Sequence, residues 1–481
     1  MGVAGTSRLD AARAQQRARR RWHFALALAV VAGCATLPDV DVLRTQQDES
    51  VQALAPQRDV QAPVIGPRGA ALSKEQSAAV IAKLQAAGSN NLLEHHLDLM
   101  KAVNPAPLVL GNATRLLIDG PAAHAAMFAS IARARDHVNM ETYIFEDDEV
   151  GHKLADLLLK KRSEGVQINL MYDSVGSMGT PPEFFKRLSE GGVTVCPFNP
   201  VNPLKGKTAA LNHRDHRKVL VADGIVAYTG GINISSVYSS SSFADRGSSA
   251  AENGWRDTQI EVRGPAVAQF QKLFFQSWKS QRCPPLAERK YLPAIKPAGD
   301  RIVRVIGSGP NDSTNMIYVE MLSAITNARK TIHVTMAYFV PNPELIDALI
   351  DRARNGVEVV LILPGVSDFW AVFHAGRSHY QTLLDAGVRI YERKDALLHA
   401  KTAVIDGVWS TVGSANMDWR SFLHNEEINV VILGAGFGEE MARMFRLDQE
   451  ASTPIDAQSW ARRGPLLRLR EMFARMWEYW L

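Results

Sequence analysis

The sequence of 481 residues is poor in cysteine, with Cys34, Cys196 and Cys283 as its three members. Three cysteines are too few for a disulfide scaffold or for a four-cysteine metal site. Hydrophobic residues make up 46% and charged residues 22%, which is ordinary for a globular protein and excludes a disordered chain and a polytopic membrane protein. The length predicts two similar domains, or one domain with appendages.

The chain also has little net charge outside its first residues. Its formal net charge is +4, yet residues 1–33 contain six arginines and one aspartate. The remainder is therefore close to neutral, which gives no support to nucleic-acid binding from net charge. We expect no nucleic acid partner, although local basic patches are compatible with this balance.

The sequence also lacks a long apolar run, and its apolar segment near the N-terminus is short. Eleven mostly apolar residues, from Trp22 to Ala32, lead into Val31-Ala32-Gly33-Cys34. This run is too short to span a bilayer as an ordinary helix, but after an arginine-rich start it is typical of a secretion leader. The tetrad resembles the lipobox of bacterial lipoproteins, which implies lipidation of Cys34. The alternative is an uncleaved apolar anchor.

We therefore expect a membrane-anchored bacterial lipoprotein on the periplasmic side, with the inner or outer membrane left open by Ala35. The order of elements predicts five segments. They are a signal peptide at 1–33, a tether with an accessory helix at 34–108, a first repeat at 109–292, a second repeat at 293–450 and an amphipathic tail at 451–481.

The two repeats share one order of predicted elements. Each begins with a buried strand, at residues 137–145 or 331–339, and continues with helix, glycine, strand, helix, glycine and short strand. Strands alternating with helices imply an α/β fold with a sheet rich in parallel strands and helices on both faces. Two such units imply a duplicated domain.

Five residue types recur at identical spacing in the two repeats. Taking each type at about one position in twenty, the chance probability is on the order of 10⁻⁷ per starting point. At offsets 0, +2, +7, +14 and +17 the sets are His216, Lys218, Asp223, Gly230 and Asn233, and His399, Lys401, Asp406, Gly413 and Asn416.

The residue types in this pattern fit a phosphodiester. On a strand, residues i and i+2 point to one face, so each motif presents an imidazole and an ammonium together. Two such motifs would surround one negatively charged phosphate with two imidazoles and two fixed cations. We expect Asn233 and Asn416 to donate hydrogen bonds to its oxygens, and Gly231 and Ser414 to let the backbone approach it. The lysines supply charge stabilisation, so no metal or cofactor is expected.

Further segments surround these motifs. They are Glu141-Thr-Tyr-Ile-Phe-Glu-Asp-Asp148, Asn212-His-Arg-Asp-His-Arg-Lys218, Gly230-Gly-Ile-Asn233, Trp255-Arg-Asp257, Leu398-His-Ala-Lys401 and Gly413-Ser-Ala-Asn-Met-Asp-Trp-Arg-Ser421. Together they resemble the phospholipase D superfamily and, within it, bacterial cardiolipin synthases. The resemblance implies a duplicated phospholipase D-like domain, two mixed β-sheets flanked by helices, and a pseudo-twofold active site at their interface.

The resemblance also implies roles. It favours His216 as the nucleophile that forms a phosphohistidine and His399 as acid and base, although the symmetry of the motifs leaves the opposite assignment open. Asp257 and Glu427 resemble the acids that orient the histidines, with Glu426 as the competitor of Glu427. Asp223 and Asp406 complete the catalytic motifs, but their odd parity beyond the strand favours bracing of the scaffold.

The implied reaction moves a phosphatidyl group from one phosphatidylglycerol to the glycerol hydroxyl of another. Such an enzyme acts at a phospholipid membrane, with phosphatidylglycerol as donor and acceptor. A hydrolytic phospholipase D is the first alternative, because water can release the same intermediate. A phosphodiesterase or nuclease of the superfamily is the second. The sequence gives neither the acceptor nor the oligomeric state.

Two remaining segments have open interpretations. The first repeat has 13 more residues than the second between its motif histidine and its orienting acid, within the Ser/Gly-rich residues 235–253. They are either a flap at the substrate mouth or a solvated loop. Near the C-terminus, apolar residues recur at helical spacing opposite arginines from Leu466 to Trp480, which suits a lipid interface or docking on the protein itself.

Overall fold

The computed structural model describes residues 64–87, 92–93, 95–97, 100, 106–201, 212–243 and 253–481. The predicted signal peptide, Cys34, the start of the tether and residues 244–252 of the longer first-repeat segment lie outside these residues. Within the described part of the chain, no helix is long and apolar enough to cross a membrane.

Nineteen strands form in the described residues. They are β1 Val64–Ile65, β2 Leu108–Ile118, β3 His137–Thr142, β4 Gln167–Asp173, β5 Thr194–Phe198, β6 Arg214–Asp215, β7 Val219–Ala222, β8 Val226–Gly230, β9 Thr258–Arg263, β10 Arg301–Ser308, β11 Thr331–Met336, β12 Phe339–Val340, β13 Glu358–Pro364, β14 Arg389–Arg393, β15 Lys401–Ile405, β16 Trp409–Gly413, β17 Met417–Asp418, β18 Asn425–Leu433 and β19 Ser452–Pro454.

The helices of the two repeats follow the predicted order, and an accessory helix precedes them. They are α1 Lys74–Ala87, α2 Asp119–Arg133, α3 Glu149–Ser163, α4 Pro182–Glu190, α5 Val267–Ser280, α6 Met316–Thr326, α7 Pro343–Arg354, α8 Trp370–Ser378, α9 Tyr380–Asp385, α10 Trp419–Leu423, α11 Ala435–Glu450, α12 Ala457–Ala461 and α13 Pro465–Arg475. Short 3₁₀ turns occur at Ser236–Tyr238 and Glu478–Trp480.

The duplicated α/β domain is confirmed by strand order. In the first repeat, hydrogen bonding connects β2-β9-β8-β7-β3-β4-β5. In the second it connects β10-β18-β16-β15-β11-β13-β14 in the same sequence of directions. The two mixed sheets join edge to edge through the antiparallel pair β2 and β10.

The sequence predicts sheets rich in parallel strands, but most strand pairs within each repeat are antiparallel. Within the seven-strand order of each repeat, only β3-β4-β5 and β11-β13-β14 run parallel. The reason is a hairpin after each motif strand, where Asp223 and Gly224 have φ values of 53° and 65°, and Asp406 and Gly407 have 52° and 67°. Two successive left-handed residues make the turn that matches the twist of antiparallel strands, and Asp-Gly is its sequence signal.

Alternate residues of the motif strands enter different apolar layers. In β7, Leu220 packs in a cluster with α2, α3 and α4, whereas Val219 and Val221 pack in a cluster with α5 and α11. The second cluster also contains Val404 and Val430 of the second repeat. Helices therefore cover both faces, as expected, and one apolar layer is shared by the two repeats.

A disulfide that the sequence analysis did not predict joins Cys196 in β5 to Cys283 after α5. The two cysteines are 87 residues apart in sequence. Closing a loop of this length stabilises the folded chain by about 4.6 kcal/mol in the chain-entropy account.

Candidate active site

The two motif histidines sit on a backbone frame shared by both repeats. His216 donates its backbone N–H to Glu426 O at 2.9 Å, and His399 donates its own to Arg256 O at 2.7 Å. In each case the acceptor precedes the predicted orienting acid of the opposite repeat. The frame is extended by the parallel pairing of β6 with β18 and by a bridge between Arg256 and Leu398. The site is therefore built by both repeats together.

The orienting acids are crossed between the repeats. His216 Nδ1 lies 3.0 Å from both carboxylate oxygens of Glu427, and His399 Nδ1 lies 2.7 Å from Asp257 Oδ2. A carboxylate on Nδ1 fixes the tautomer and leaves Nε2 of each ring for the substrate. Glu427 has this contact rather than Glu426, which pairs with His213 and Arg217.

The two lysines repeat the same symmetry. Lys218 Nζ donates to His216 O at 2.6 Å, and Lys401 Nζ donates to His399 O at 2.6 Å. Both side chains are buried. Burial lowers the pKa of Lys218 to about 7, with the charge of Lys401 adding to the effect, and lowers the pKa of Lys401 to about 8. An anion bound between them would stabilise the charged forms.

Burial is also the largest influence on the pKa values of the two imidazoles. It lowers the pKa of His216 to about 4, against the opposing pull of Glu427. Burial and then Lys401 lower the pKa of His399. Burial alone would raise the pKa of Glu427, but His216 and Lys218 bring it down to about 2. At neutral pH the free site therefore contains neutral imidazoles beside an ionised Glu427.

Gly231 and Ser414 contact the orienting acids. A Cβ on Gly231 would lie 2.2 Å from Asp257 Oδ1. At the equivalent position, Ser414 Oγ donates to Glu427 Oε2 at 2.5 Å. Both residues were predicted to bring the backbone close to the phosphate. The close approach that the structure shows is to the two carboxylates, which accounts for the small side chains at these positions.

The two asparagines lie at the site with different partners. Asn233 Oδ1 accepts from the backbone N–H of Ile144 at 3.2 Å, and its Nδ2 donates to Tyr238 Oη at 3.4 Å. Asn416 donates its backbone N–H to Ser421 Oγ at 3.0 Å. Among the described residues, its buried Oδ1 has no hydrogen-bond partner. Their predicted bonds to phosphoryl oxygens stay predictions.

Asp223 and Asp406 lie at the hairpin turns beyond the motif strands. The Asp223 carboxylate accepts the backbone N–H groups of residues 135–137 at 2.8 to 3.0 Å. The Asp406 carboxylate accepts those of residues 329–331 at 2.7 to 2.9 Å. Each aspartate thus ties a hairpin to the start of the neighbouring strand, β3 or β11. These contacts brace the scaffold that presents the histidines.

Two tyrosines at equivalent strand ends wall the site. The Tyr143 ring lies 5.0 Å from the His216 ring, with Lys218 Nζ 5.2 Å from its centroid. Tyr338 lies 6.4 Å from the His399 ring and donates its hydroxyl to Asp368 at 2.7 Å. Burial raises the pKa of Tyr143 to about 12, so it stays neutral.

Tyr238 and Trp255 are site residues that the sequence analysis missed. Tyr238 Oη lies 3.2 Å from His399 Nδ1, and the Trp255 ring lies 5.5 Å from the His399 ring. Tyr238 comes from the segment that is longer in the first repeat, and Trp255 follows that segment. The additional length of this segment is the signal that the sequence offers, but length alone does not distinguish a segment that contacts His399 from a flap or a solvated loop.

Other polar residues have partners away from the two motifs. His213 contacts Glu426 at 3.1 Å, and His96 contacts Ser323 at 3.0 Å. The part of the chain that the structure describes contains no group of three or more His, Cys, Asp or Glu side chains placed to hold a metal ion.

Comparison with known proteins identifies the family. The family model "Cardiolipin synthase, PLD-like domain" matches residues 127–278 and 321–448. The chain belongs to the cardiolipin synthase family. Cardiolipin synthases of a Geobacillus species and of Geobacillus thermodenitrificans are 33% and 34% identical to it, each covering 79% of this chain and 74% of the relative.

A solved structure supports the fold. Phosphatidylserine synthase of Haemophilus influenzae superposes with a TM-score of 0.60 at 12% sequence identity. The alignment covers 79% of this chain and 98% of that protein. At this identity the match concerns the fold, and it extends over both repeats of the cardiolipin synthase family chain.

Proposed function

We propose that this chain is a phosphatidyltransferase that moves a phosphatidyl group from one phosphatidylglycerol to a glycerol hydroxyl of another, releasing glycerol. The observation that carries the proposal is the crossed twofold site, with two neutral imidazoles on carboxylates and two buried lysines. Such a site suits a singly charged phosphodiester. The curated relatives are cardiolipin synthases, which supplies the substrate class.

In the first step, His216 Nε2 attacks phosphorus. A P–N bond forms, the P–O bond to glycerol breaks, and protonated His399 gives its Nε2 proton to the departing oxygen. The pKa of about 4 leaves His216 neutral and nucleophilic. The phosphodiester charge favours protonation of His399, whose pKa is lowered by burial in the free site.

In the second step, the acceptor hydroxyl of another phosphatidylglycerol gives its proton to His399 Nε2. Its oxygen attacks phosphorus and the P–N bond to His216 breaks, which restores both histidines. Lys218 and Lys401 stabilise negative charge on the phosphoryl oxygens in both steps, and Glu427 stabilises the positive charge that His216 acquires. Two phosphatidylglycerols thus give cardiolipin and glycerol.

The compartment proposed for the enzyme is the bacterial periplasmic side, with a lipid on Cys34 as anchor. The Cys196–Cys283 disulfide supports this location because disulfides persist in oxidising compartments. The leader itself lies outside the described residues. Replacement of Cys34 by serine should remove the acyl label and shift the protein toward the soluble fraction. Complete retention in the membrane with an unprocessed leader would favour the uncleaved anchor.

The function is tested by incubating the purified protein with phosphatidylglycerol vesicles and identifying the products by mass. Cardiolipin and glycerol in equal amounts are expected, with His216→Ala as the inactive control. Phosphatidic acid and glycerol without cardiolipin would instead assign a hydrolytic phospholipase D. Cleavage of nucleic acid, with phosphatidylglycerol left intact, would overturn the proposal.

A further inference from the structure

Helix α13 presents its apolar side chains to solvent. Its two buried residues are Glu471 and Ala474. Six large apolar residues of the helix and its C-terminal end are 46 to 72% exposed. They are Leu466, Leu469, Met472, Phe473, Met476 and Trp477. This set is called the apolar face below. Of the two interpretations of the tail, docking of this stripe on the protein itself is therefore not what the structure shows.

The opposite side of α13 is fixed to the second repeat. Ala474 packs in a cluster with Val340 and Val372, and Glu471 pairs with Arg463 at 2.9 Å. Just after the helix, Tyr479 lies against Trp419 with ring centroids 5.2 Å apart. The apolar face is thus held in a defined orientation by contacts on its other side.

Helix α13, which carries the apolar face, adjoins the wall of the active site through its buried side. Tyr338 packs against the same cluster that receives Ala474, and its ring lies 6.4 Å from that of His399. Trp370, at the start of α8 beneath α13, is 39% exposed. A surface that receives this face would therefore also lie beside the site.

The charges around the apolar face are predominantly positive, with Glu478 lying 3.7 Å from Arg475 at its C-terminal end. Arg462, Arg468, Arg470 and Arg475 are exposed. The only acid between residues 465 and 477 is Glu471, which is buried and paired. Exposed aromatic and aliphatic side chains bordered by arginines match a bilayer interface with anionic headgroups, where apolar groups enter the acyl boundary and cations contact phosphates.

We propose that the apolar face docks on an anionic phospholipid bilayer and holds the active-site mouth at the level of the headgroups. The proposal deepens the proposed function, since a phosphatidylglycerol headgroup must reach His216 and His399. It adds a second contact to the lipid expected on Cys34, and it fixes which side of the enzyme faces the membrane.

The experiment places a spin label on the full-length, lipidated protein at Met476→Cys, with Ile225→Cys as the matched control. These positions are 72% and 51% exposed, and Ile225 lies at the first-repeat hairpin, so neither change disturbs the core. With Cys34 acylated and Cys196 bonded to Cys283, the introduced cysteine is the single free thiol. Collision with bilayer-dissolved oxygen and with a water-soluble nickel chelate reports the depth of the label.

On vesicles containing phosphatidylglycerol, the label at position 476 should become shielded from the chelate and exposed to oxygen, by roughly tenfold in their ratio. The label at position 225 should remain in water. A label at 476 that stays in water on vesicle-bound protein would overturn the proposal. Shielding without vesicles, with spin–spin broadening, would replace it by contact between two copies.

The result is independent of turnover. Parent protein that fails to make cardiolipin from a water-soluble, short-chain phosphatidylglycerol would overturn the proposed function alone. The depth of the label at position 476 would still decide whether the apolar face docks on lipid.

Discussion

The two motif histidines have the same backbone hydrogen bonding but different surroundings. Glu427, on His216, accepts hydrogen bonds from Ser414, Ser421 and Asn425 at 2.5 to 3.3 Å. Asp257, on His399, accepts the backbone N–H of Thr258 at 2.7 Å. His399 is also contacted by Tyr238, from the segment that is longer in the first repeat, and by Trp255, which follows that segment.

This comparison separates the features that the two repeats share from the features that differ between them. The backbone bond, the lysine and the crossed carboxylate are kept in both copies, and any phosphodiester chemistry at the pair needs them. The polar surroundings have diverged. A carboxylate held by three side chains suits the histidine that must carry a phosphoryl group, and a ring bordered by Tyr238 and Trp255 suits proton transfer to an alcohol.

The largest expected effect is loss of either histidine. His216→Ala and His399→Ala should each lower the initial rate of cardiolipin formation by roughly 10⁴-fold or more, because the two rings act on one phosphorus. His213→Ala is the control, since His213 contacts Glu426 outside the pair, and it should retain most activity. Equal rates in all three variants would refute the common frame.

The crossed carboxylates come next. Glu427→Gln and Asp257→Asn should each lower kcat by roughly 10²–10⁴-fold, because an amide on Nδ1 favours the wrong tautomer. Rapid-quench kinetics should separate them. Glu427→Gln should slow formation of the phosphoenzyme, whereas Asp257→Asn should slow transfer to the acceptor as well as release of glycerol. The reverse pattern would exchange the roles of the histidines.

The pH profile tests the lysines and His216 together. Buried Lys218 and Lys401, with pKa values of about 7 and 8, lose their charge as the pH rises through that range. Loss of lysine charge should therefore lower kcat/KM above about pH 7 to 8, in addition to the decrease that deprotonation of His399 causes. His216, with a pKa of about 4, stays neutral until the pH falls to that value, so its protonation should limit kcat/KM only near pH 4. A profile that stays flat to pH 10 would contradict a role for lysine charge.

The smallest expected effect sharpens the comparison at Tyr238. Tyr238→Phe removes the hydroxyl beside His399 Nδ1 and should lower kcat by roughly threefold to tenfold. The variant should also shift the pH dependence of both steps, because His399 acts as the acid in the first step and as the base in the second. An unchanged pH profile would mean that Tyr238 contributes packing alone. Thermal unfolding of the variant is the control for its folding.

The placement of a histidine beside a lysine in each repeat could be predicted from the sequence, because strand parity and motif spacing are local properties. His216 with Lys218, and His399 with Lys401, could be placed together from two identical motifs. The Asp-Gly pairs at residues 223 and 406 also carried a hairpin signal, which would have predicted the antiparallel part of each sheet.

The other features could not be predicted from the sequence, because they depend on packing between residues that are distant along the chain. Crossing of Asp257 and Glu427 follows from how the repeats face each other, and parity within one strand could not show it. Three cysteines do not specify the Cys196–Cys283 pair. The helical period predicts an apolar stripe on α13 but does not show whether the stripe faces solvent or the protein, because helices that face a core have the same period.

The most direct test is to trap the intermediate. Protein mixed with phosphatidylglycerol labelled at phosphorus is quenched within one turnover, digested and mapped by mass. The account predicts acid-labile phosphatidyl label on His216 and none on His399. Label on His399 alone would reverse the two roles, and cardiolipin formation with no label on either histidine would contradict the covalent mechanism.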